Sequence, residues 1–378
     1  MAAVDKALII GGGIGGLTVA AALQQKGVST RVVEIGRRSD RLGTGISLLG
    51  NALRALDRIG LAEKCIEAGA GFDKVINLDA EGNLLNELVP ARTFKQDRPG
   101  AFGIMRPVLS QILEAGAVTA GATIDFETKA DRITMSPDGS VAVWLSTGEF
   151  VETPLLIAAD GAYSKVRQLI FGDGYVPVYS GQGVWRYTAP RSKKMEGIVF
   201  YRAADGAVLG GIPIAPKLCY YFVLENAAVR PRFPEDRLWE MFRARMEPFT
   251  APEVREAAAL IDQNSVVSYR PLDALLMPEP WYKDRVVLLG DAAHSLTPQL
   301  TSGGGMAIED AVVLAEELDR HPDVASALAA YSARRAPRVK AIFDTSYGIC
   351  VSEQNPLEDK ELSMRLLSKG HQLLAQPF

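Results

Sequence analysis

Nowhere in the 378 residues is there an apolar run long enough to cross a membrane, and the amino terminus reaches its first strand without the apolar core of a signal peptide. These absences predict a cytoplasmic chain with no membrane partner. Cysteine is scarce: Cys65, Cys219 and Cys350 lie far apart and form no CxxC pair, which excludes an obvious disulfide framework or zinc site. Histidine is as scarce, and His294, His321 and His371 are too scattered for a histidine-rich centre, so no metal is expected. Charge excess is missing as well. With 41 Lys and Arg against 45 Asp and Glu, the formal net charge is -4, and no basic surface invites nucleic acid. There are no repeats, low-complexity segments or charged tails, and 48% hydrophobic residues over this length fit a globular protein of about two domains.

What the chain does have is concentrated between Lys6 and Glu34. Ala7-Leu8-Ile9-Ile10 is the apolar run of a buried parallel strand, and Gly11-Gly12-Gly13-Ile14-Gly15-Gly16 follows it. Helical spacing from Leu17 to Lys26, Gly27 at the position of a C-cap, and the strand-like Thr30 to Glu34 complete a βαβ unit. In such a unit Gly11 allows the tight turn, Gly13 lets backbone approach a pyrophosphate, and Gly16 permits close helix–strand packing. Glu34, at the end of the second strand, can accept hydrogen bonds from a ribose diol. The ordered set of strand, turn, helix, strand and acid points to a bound dinucleotide.

Two further buried strands end in chemistry-bearing residues. Pro154 to Ala159 runs into Asp160-Gly161 before a helix carrying Arg167, and Arg285 to Leu289 runs into Gly290-Asp291-Ala292-Ala293-His294 and Pro298. Between them, from Tyr175 to Tyr269, the texture is that of Val-, Tyr-, Phe- and Trp-rich strands broken by one amphipathic helix from Asp236 to Met246. Val75 to Val89 reads as a hairpin, Pro107 opens a helix just after Arg106, and helices are expected over Ala325 to Val351 and Glu358 to Leu374. A basic and polar stretch covers Gly36 to Arg41, and a second glycine-punctuated segment, Gly43 to Leu48, includes Ser47. The expected architecture is α/β: a Rossmann-like dinucleotide domain from 1–75, 98–174 and 272–345, an inserted antiparallel β-sheet substrate domain from 76–97 and 175–271, and a C-terminal helical segment from 346–378.

The sequence resembles the class A FAD-dependent aromatic monooxygenases, of the para-hydroxybenzoate hydroxylase and salicylate hydroxylase type. Three motifs carry the resemblance: GxGxxG at Gly11, Gly13 and Gly16 with Glu34; the DG motif from Leu156 through Asp160-Gly161 to Arg167; and the GD motif from Gly290-Asp291 through His294 to Pro298. Ala329-Ala330-Tyr331 with Arg334-Arg335 and Pro337-Arg338 also look like the family's. The chain departs from it with Thr301-Ser302-Gly303 where many relatives carry Gly-Gln-Gly, and with Gly305 where Asn is common.

The resemblance implies FAD as cofactor, with Glu34 on the adenosine ribose, Arg106 on the nearby phosphate and ribose, and Asp291 on the ribityl chain. A helix N-cap is the plainer reading of Asp291. Gly303, Gly304 and Gly305 would turn a helix N-terminus toward the flavin pyrimidine and stabilise negative charge on the reduced ring. No second GxGxxG unit is present, so NADPH or NADH would bind transiently in the cleft near Asp160 and Arg167. The family reaction is reduction of FAD, capture of O2 as a C4a-hydroperoxide, and oxygen transfer to an electron-rich carbon.

The expected substrate is a small or medium aromatic compound with a hydroxyl or amino group; a larger polyketide- or antibiotic-like substrate and a non-catalytic FAD-binding protein are the alternatives. Trp185-Arg186-Tyr187 does not match the Trp-x-Trp-x-x-Ile signature of the halogenases of this fold. Arg186 is the candidate partner of a carboxylate or phenolate, Ser47 and Gln299 are candidate polar contacts, and His294 is a candidate proton relay. Pro298 and Tyr221 complete the candidate catalytic set.

Overall fold

The computed structural model describes residues 2–40, 43–355 and 361–378. Arg41 of the basic stretch, and residues 356–360 with the expected helix start at Glu358, lie outside the described residues.

The apolar run Lys6–Ile10 is the hub of a six-stranded sheet ordered Tyr282–Lys283, Val286–Leu288, Leu156–Ala158, Lys6–Ile10, Ser29–Val33, Thr123–Asp125. Ile9 is flanked by Ile157 and Val32, and Ile157 by Val287, all in parallel register. Only the edge pair Tyr282–Lys283 with Val286–Leu288 is antiparallel. A parallel strand is covered on both faces, which is why these segments are continuously apolar rather than alternating. The three apolar runs read from the sequence therefore lie side by side. Their carboxyl ends, at Gly11, Asp160 and Gly290, meet at one edge of the sheet, where open α/β sheets bind ligands. Helix Ile14–Gln24 packs against helices Arg106–Ala120 and Gly303–Arg320.

With the edge strand His294–Ser295 joining from the GD segment, the inserted region builds most of an eight-stranded sheet with Val178–Pro190, Leu218–Asn226 and Val208–Ala215 at its centre. It is mixed rather than purely antiparallel, because Ile198–Arg202 runs parallel to Val75–Asp79 of the hairpin. Strand alternation sorts its residues. Trp185, Tyr187 and Tyr221 join a buried core beneath helices Leu238–Met246 and Pro252–Ala259, while Arg186, Tyr220 and Phe222 take the other face. The sequence pattern suggested one helix here; the second opens on Pro252, a residue that reads as a breaker but suits the first helical turn.

A small sheet of Gly45–Leu49, Ala101–Met105 and Ala70–Phe72 is wedged against that other face, so Phe72 and Ala101 share a core with Ile212, Ile214 and Tyr220. The last long element is a single helix, Val324–Gln354, of 31 residues with Pro337 inside it. Its far end touches both the turn Pro298–Leu300 and strand Val178–Pro190.

Candidate active site

A cavity of about 390 Å³ opens where the three parallel strand ends meet. Gly12 and Gly13, Glu34, Arg106, Asp291 and Gly303 stand among its walls. The glycines divide by role. Gly11 has φ +106, and a side chain there would run into the Ala159 carbonyl; a side chain at Gly16 would collide with the Gly11 carbonyl. These two let strand and helix close up and do not themselves face the cavity. Gly13 has open space where a Cβ would stand, as the approach of a pyrophosphate to backbone requires.

Glu34 follows strand Ser29–Val33, and its carboxylate is aimed by two backbone amides: Gly12 N–H donates at 2.6 Å and Gly36 N–H at 2.7 Å. Arg106, the first residue of its helix, also lines the cavity; it is exposed and has no acidic partner among the described residues.

Asp291 lies in the short turn Gly290–Ala292 and projects into the cavity. Its side chain is exposed to solvent, although protein is densely packed around it. That crowding pushes its carboxyl above the usual range, while the charges of His294 and Arg106 pull it back. No hydrogen bond to the carboxylate is made among the described residues.

Behind Asp291 lies a fully buried ion-pair network. Asp310 accepts from the Gly290 amide at 3.0 Å, from His294 Nε2 at 2.6 Å and from Arg335 Nε at 2.7 Å. Burial alone would raise the Asp310 carboxyl, but His294 and Arg335 outweigh it and hold it at about 2. Arg335 also donates to Glu309 at 2.7 Å, and Glu309 accepts from Arg338 and Asn51. His294 is thus a brace for the turn, walled in beside Trp281, and not a relay on the cavity wall.

Helix Gly303–Arg320 directs its N-terminal end at the cavity, with Gly303 and Gly304 on the wall. Gly305 does not reach it, because a side chain there would meet Asn51 Nδ2 at 3.0 Å; this glycine admits helix Gly50–Arg58 instead. Pro298 begins the turn Pro298–Leu300 just before that helix and is half-buried.

The DG residues divide in the same way. Asp160 caps helix Lys165–Phe171, accepting the Lys165 and Val166 amides at 2.8 and 3.1 Å, and burial raises its carboxyl. Its other oxygen has no partner among the described residues, and its neighbours Ala159 and Gly161 line the cavity. Arg167 is not at the cleft edge. It is fully buried and donates to the carbonyls of Ala162, Tyr175 and Ala292, tying the DG turn to the GD turn.

On the substrate side, Tyr221 is on the wrong face. It lies beneath the helices with Cys219 and Tyr187, and its strand neighbour Tyr220 turns toward Gly45, which the sequence reading missed although strict alternation in the strand carried the signal. Ser47 shares the Gly45 face of its strand, and its buried hydroxyl has no partner among the described residues.

Arg186 stands on the sheet face away from the helices, paired across the ladder with Phe222. Protein encloses most of it, which lowers its affinity for a proton; Tyr220 opposes that effect and the nearby charges of Arg106 and Arg270 add to it. No acid answers these arginines among the described residues. Arg106 lines the cavity and lies within electrostatic reach of Arg186. Arg270 and the Glu309–Asp310 pair with Arg335 and Arg338 were not singled out from sequence as site residues; the only signal was acids on one helix answered by arginines on the next.

Comparison with known proteins accords with this geometry. A family model described as an FAD binding domain matches residues 5–346. The chain belongs to that family. It is 32% identical over 342 residues to the putative FAD-dependent monooxygenase YetM of Bacillus subtilis (strain 168), covering 90% of this chain and 91% of that one. It is 30% identical over 342 residues to 3-hydroxybenzoate 6-hydroxylase 1 of Aquipseudomonas alcaligenes, covering 89% and 86%. The fold is that of Klebsiella pneumoniae HpxO, solved with FAD and uric acid, at a TM-score of 0.84 and 24% identity over 98% of this chain and 97% of that one. This protein is an FAD-dependent monooxygenase of the class A type. Its cavity suits the cofactor: open backbone at Gly13 and Gly303, a carboxylate at Asp291 without a partner among the described residues, an aimed acid at Glu34 and a helix N-terminus all face one space.

Proposed function

We propose that this monooxygenase uses NADH or NADPH and O2 to hydroxylate a small or medium aromatic compound with a hydroxyl or amino group, bound as an anion against Arg186. The observation that carries the reading is the enclosed guanidinium of Arg186, flanked by two more arginines and answered by no acid among the described residues. A cation stripped of water and left unpaired is costly unless a ligand completes it. A carboxylate or phenolate does so, and ring anions are also the better acceptors of electrophilic oxygen.

FAD, when bound, supplies the redox chemistry, taking electrons from the nicotinamide and delivering one oxygen atom of O2. The chain's own residues bind and orient. Glu34 takes the adenosine ribose, Gly13 lets backbone approach the pyrophosphate, Asp291 takes a ribityl hydroxyl, and Arg106 serves the phosphate side. The amides of Gly303 and Gly304, at the positive end of their helix, favour negative charge on the reduced ring. Ser47 and Gln299 offer polar contacts to the substrate ring, and Tyr220 joins Arg186 on the cleft face. Asp160 remains the candidate for nicotinamide handling.

The test is NADH and NADPH oxidation by the FAD-loaded protein across hydroxy- and amino-substituted benzoates, with flavin reduction followed in parallel. Acceleration by members of that panel supports the reading. Acceleration only by large neutral compounds would support the alternative of a polyketide-scale substrate.

A further inference from the structure

Strand register places a second arginine beside Arg186. Val178–Pro190 pairs with Val267–Leu276 so that Val184 lies opposite Arg270 and Arg186 opposite Ser268, and with Leu218–Asn226 so that Thr188 lies opposite Tyr220. Partners across a ladder share a face, so Arg186 and Arg270 stand diagonally on neighbouring strands, on the face away from the helices, within reach of one small ligand. Both ends of that face are covered. At one, the small sheet packs against Val208–Ala215, where a side chain at Gly45 would collide with Ile214 and Tyr220. At the other, Gln182 donates to Glu353 at 3.3 Å and accepts from Gln299 at 2.7 Å, so the end of helix Val324–Gln354 and the turn Pro298–Leu300 close over it. The two arginines lie between these closures, Arg186 half-buried and Arg270 exposed.

Like charges at neighbouring positions on one sheet face repel. Burial already lowers the hold of Arg186 on its proton, and the charges of Arg106 and Arg270 lower it further. No carboxylate answers the pair among the described residues. Glu353 is taken by the amides of Gln299 and Gln182, and the Arg270 guanidinium donates from Nη1 to the carbonyl of Tyr269 at 3.2 Å. A single anion on Arg186 would leave Arg270 with most of its fork of donors free at the open side of the same space.

We propose that Arg270 is a second anion-binding residue for the substrate, which is an aromatic compound with two acidic groups, a carboxylate inward on Arg186 and a second carboxylate or phenolate outward on Arg270. The inference rests on the aromatic-anion reading above and narrows it. Arg186 anchors, and Arg270 selects dianions over monoanions. Because Arg270 touches only the second group, its loss spares a ligand that has one.

The experiment measures Kd from flavin difference spectra of the FAD-loaded protein. The probes are 3-hydroxybenzoate, with one carboxylate, and 5-hydroxyisophthalate, 2-hydroxyterephthalate and 4-hydroxyphthalate, each of which is 3-hydroxybenzoate with a second carboxylate at a different ring position. At least one diacid is expected to bind the wild-type protein roughly tenfold more tightly than 3-hydroxybenzoate, the worth of one hydrogen bond between charged groups. Arg270→Gln should abolish that preference while changing the Kd of 3-hydroxybenzoate by less than about twofold, and Arg270→Lys, which keeps the charge, should retain part of it. If 3-hydroxybenzoate binds but no diacid binds more tightly, or if the preference survives in Arg270→Gln, the proposal is overturned and the Arg186 reading stands. If no probe binds the wild-type protein, both fall.

Discussion

Gly290 donates its amide to Asp310 Oδ2 at 3.0 Å, so the turn that aims Asp291 into the cavity is fastened from behind by a carboxylate one helix away. That carboxylate also holds His294 and Arg335, and all three side chains are cut off from water. Removing its charge would leave a buried guanidinium and the ring nitrogen short of an acceptor.

Asp310→Asn is therefore expected to lower stability by roughly 3 kcal/mol and to loosen FAD, because the turn loses its anchor. The pH dependence should change too. The Asp310 carboxyl titrates at about 2 in the fold against an ordinary 3.8, so its contribution is complete above the ordinary value and is lost as pH falls from there toward 2. Denaturant unfolding of both proteins between pH 6 and 3 checks this, with the gap between them narrowing below about pH 4.

Asp291→Ala should weaken FAD by about 1–3 kcal/mol, equivalent to a five- to 150-fold rise in Kd, because a hydrogen bond to a charged oxygen is lost. Stability of the apo protein should hardly move, since the carboxylate makes no hydrogen bond among the described residues. Fluorescence titration of the apo protein with FAD measures the first, and thermal unfolding without FAD the second.

Much of this was legible in the sequence because parallel strands announce themselves as short continuous apolar runs, and the residues after them must fall at one sheet edge. Gly13, Glu34 and Asp291 follow from that logic alone. Arg167 did not, since the sequence places it near an edge but cannot say whether its side chain turns out to the cleft or inward to carbonyls. Tyr221 failed for a related reason: in Cys219-Tyr220-Tyr221-Phe222 two adjacent tyrosines suit the cleft equally well in composition, and only register decides. Glu353 was invisible because its partners, Gln182 and Gln299, lie far away in sequence and carry no charge to suggest pairing.

Arg167→Met is expected to act on stability rather than on nicotinamide chemistry. Three carbonyls lose their donor, costing about 3 kcal/mol or more. In the fraction that folds and holds FAD, the rate of flavin reduction by NADH or NADPH in stopped-flow should remain near that of the parent.

Tyr221→Phe should leave the binding of aromatic acids unchanged, since its ring is packed under the helices away from the cleft. Tyr220→Phe, one residue earlier, is expected to weaken it by about 1 kcal/mol, near fivefold in Kd. Flavin difference spectra with 3-hydroxybenzoate compare the two directly.

The most direct measurement of the central claim is oxygen incorporation. The FAD-loaded protein is incubated with NADH or NADPH, a panel of hydroxy- and aminobenzoates and 18O2, and the products are weighed by mass spectrometry beside those of Arg186→Met. The account predicts one 18O atom in a hydroxylated product of at least one panel member, and loss of that product in Arg186→Met while FAD remains bound. Nicotinamide oxidation that yields only hydrogen peroxide with every panel member, or a product formed equally well without Arg186, would contradict it.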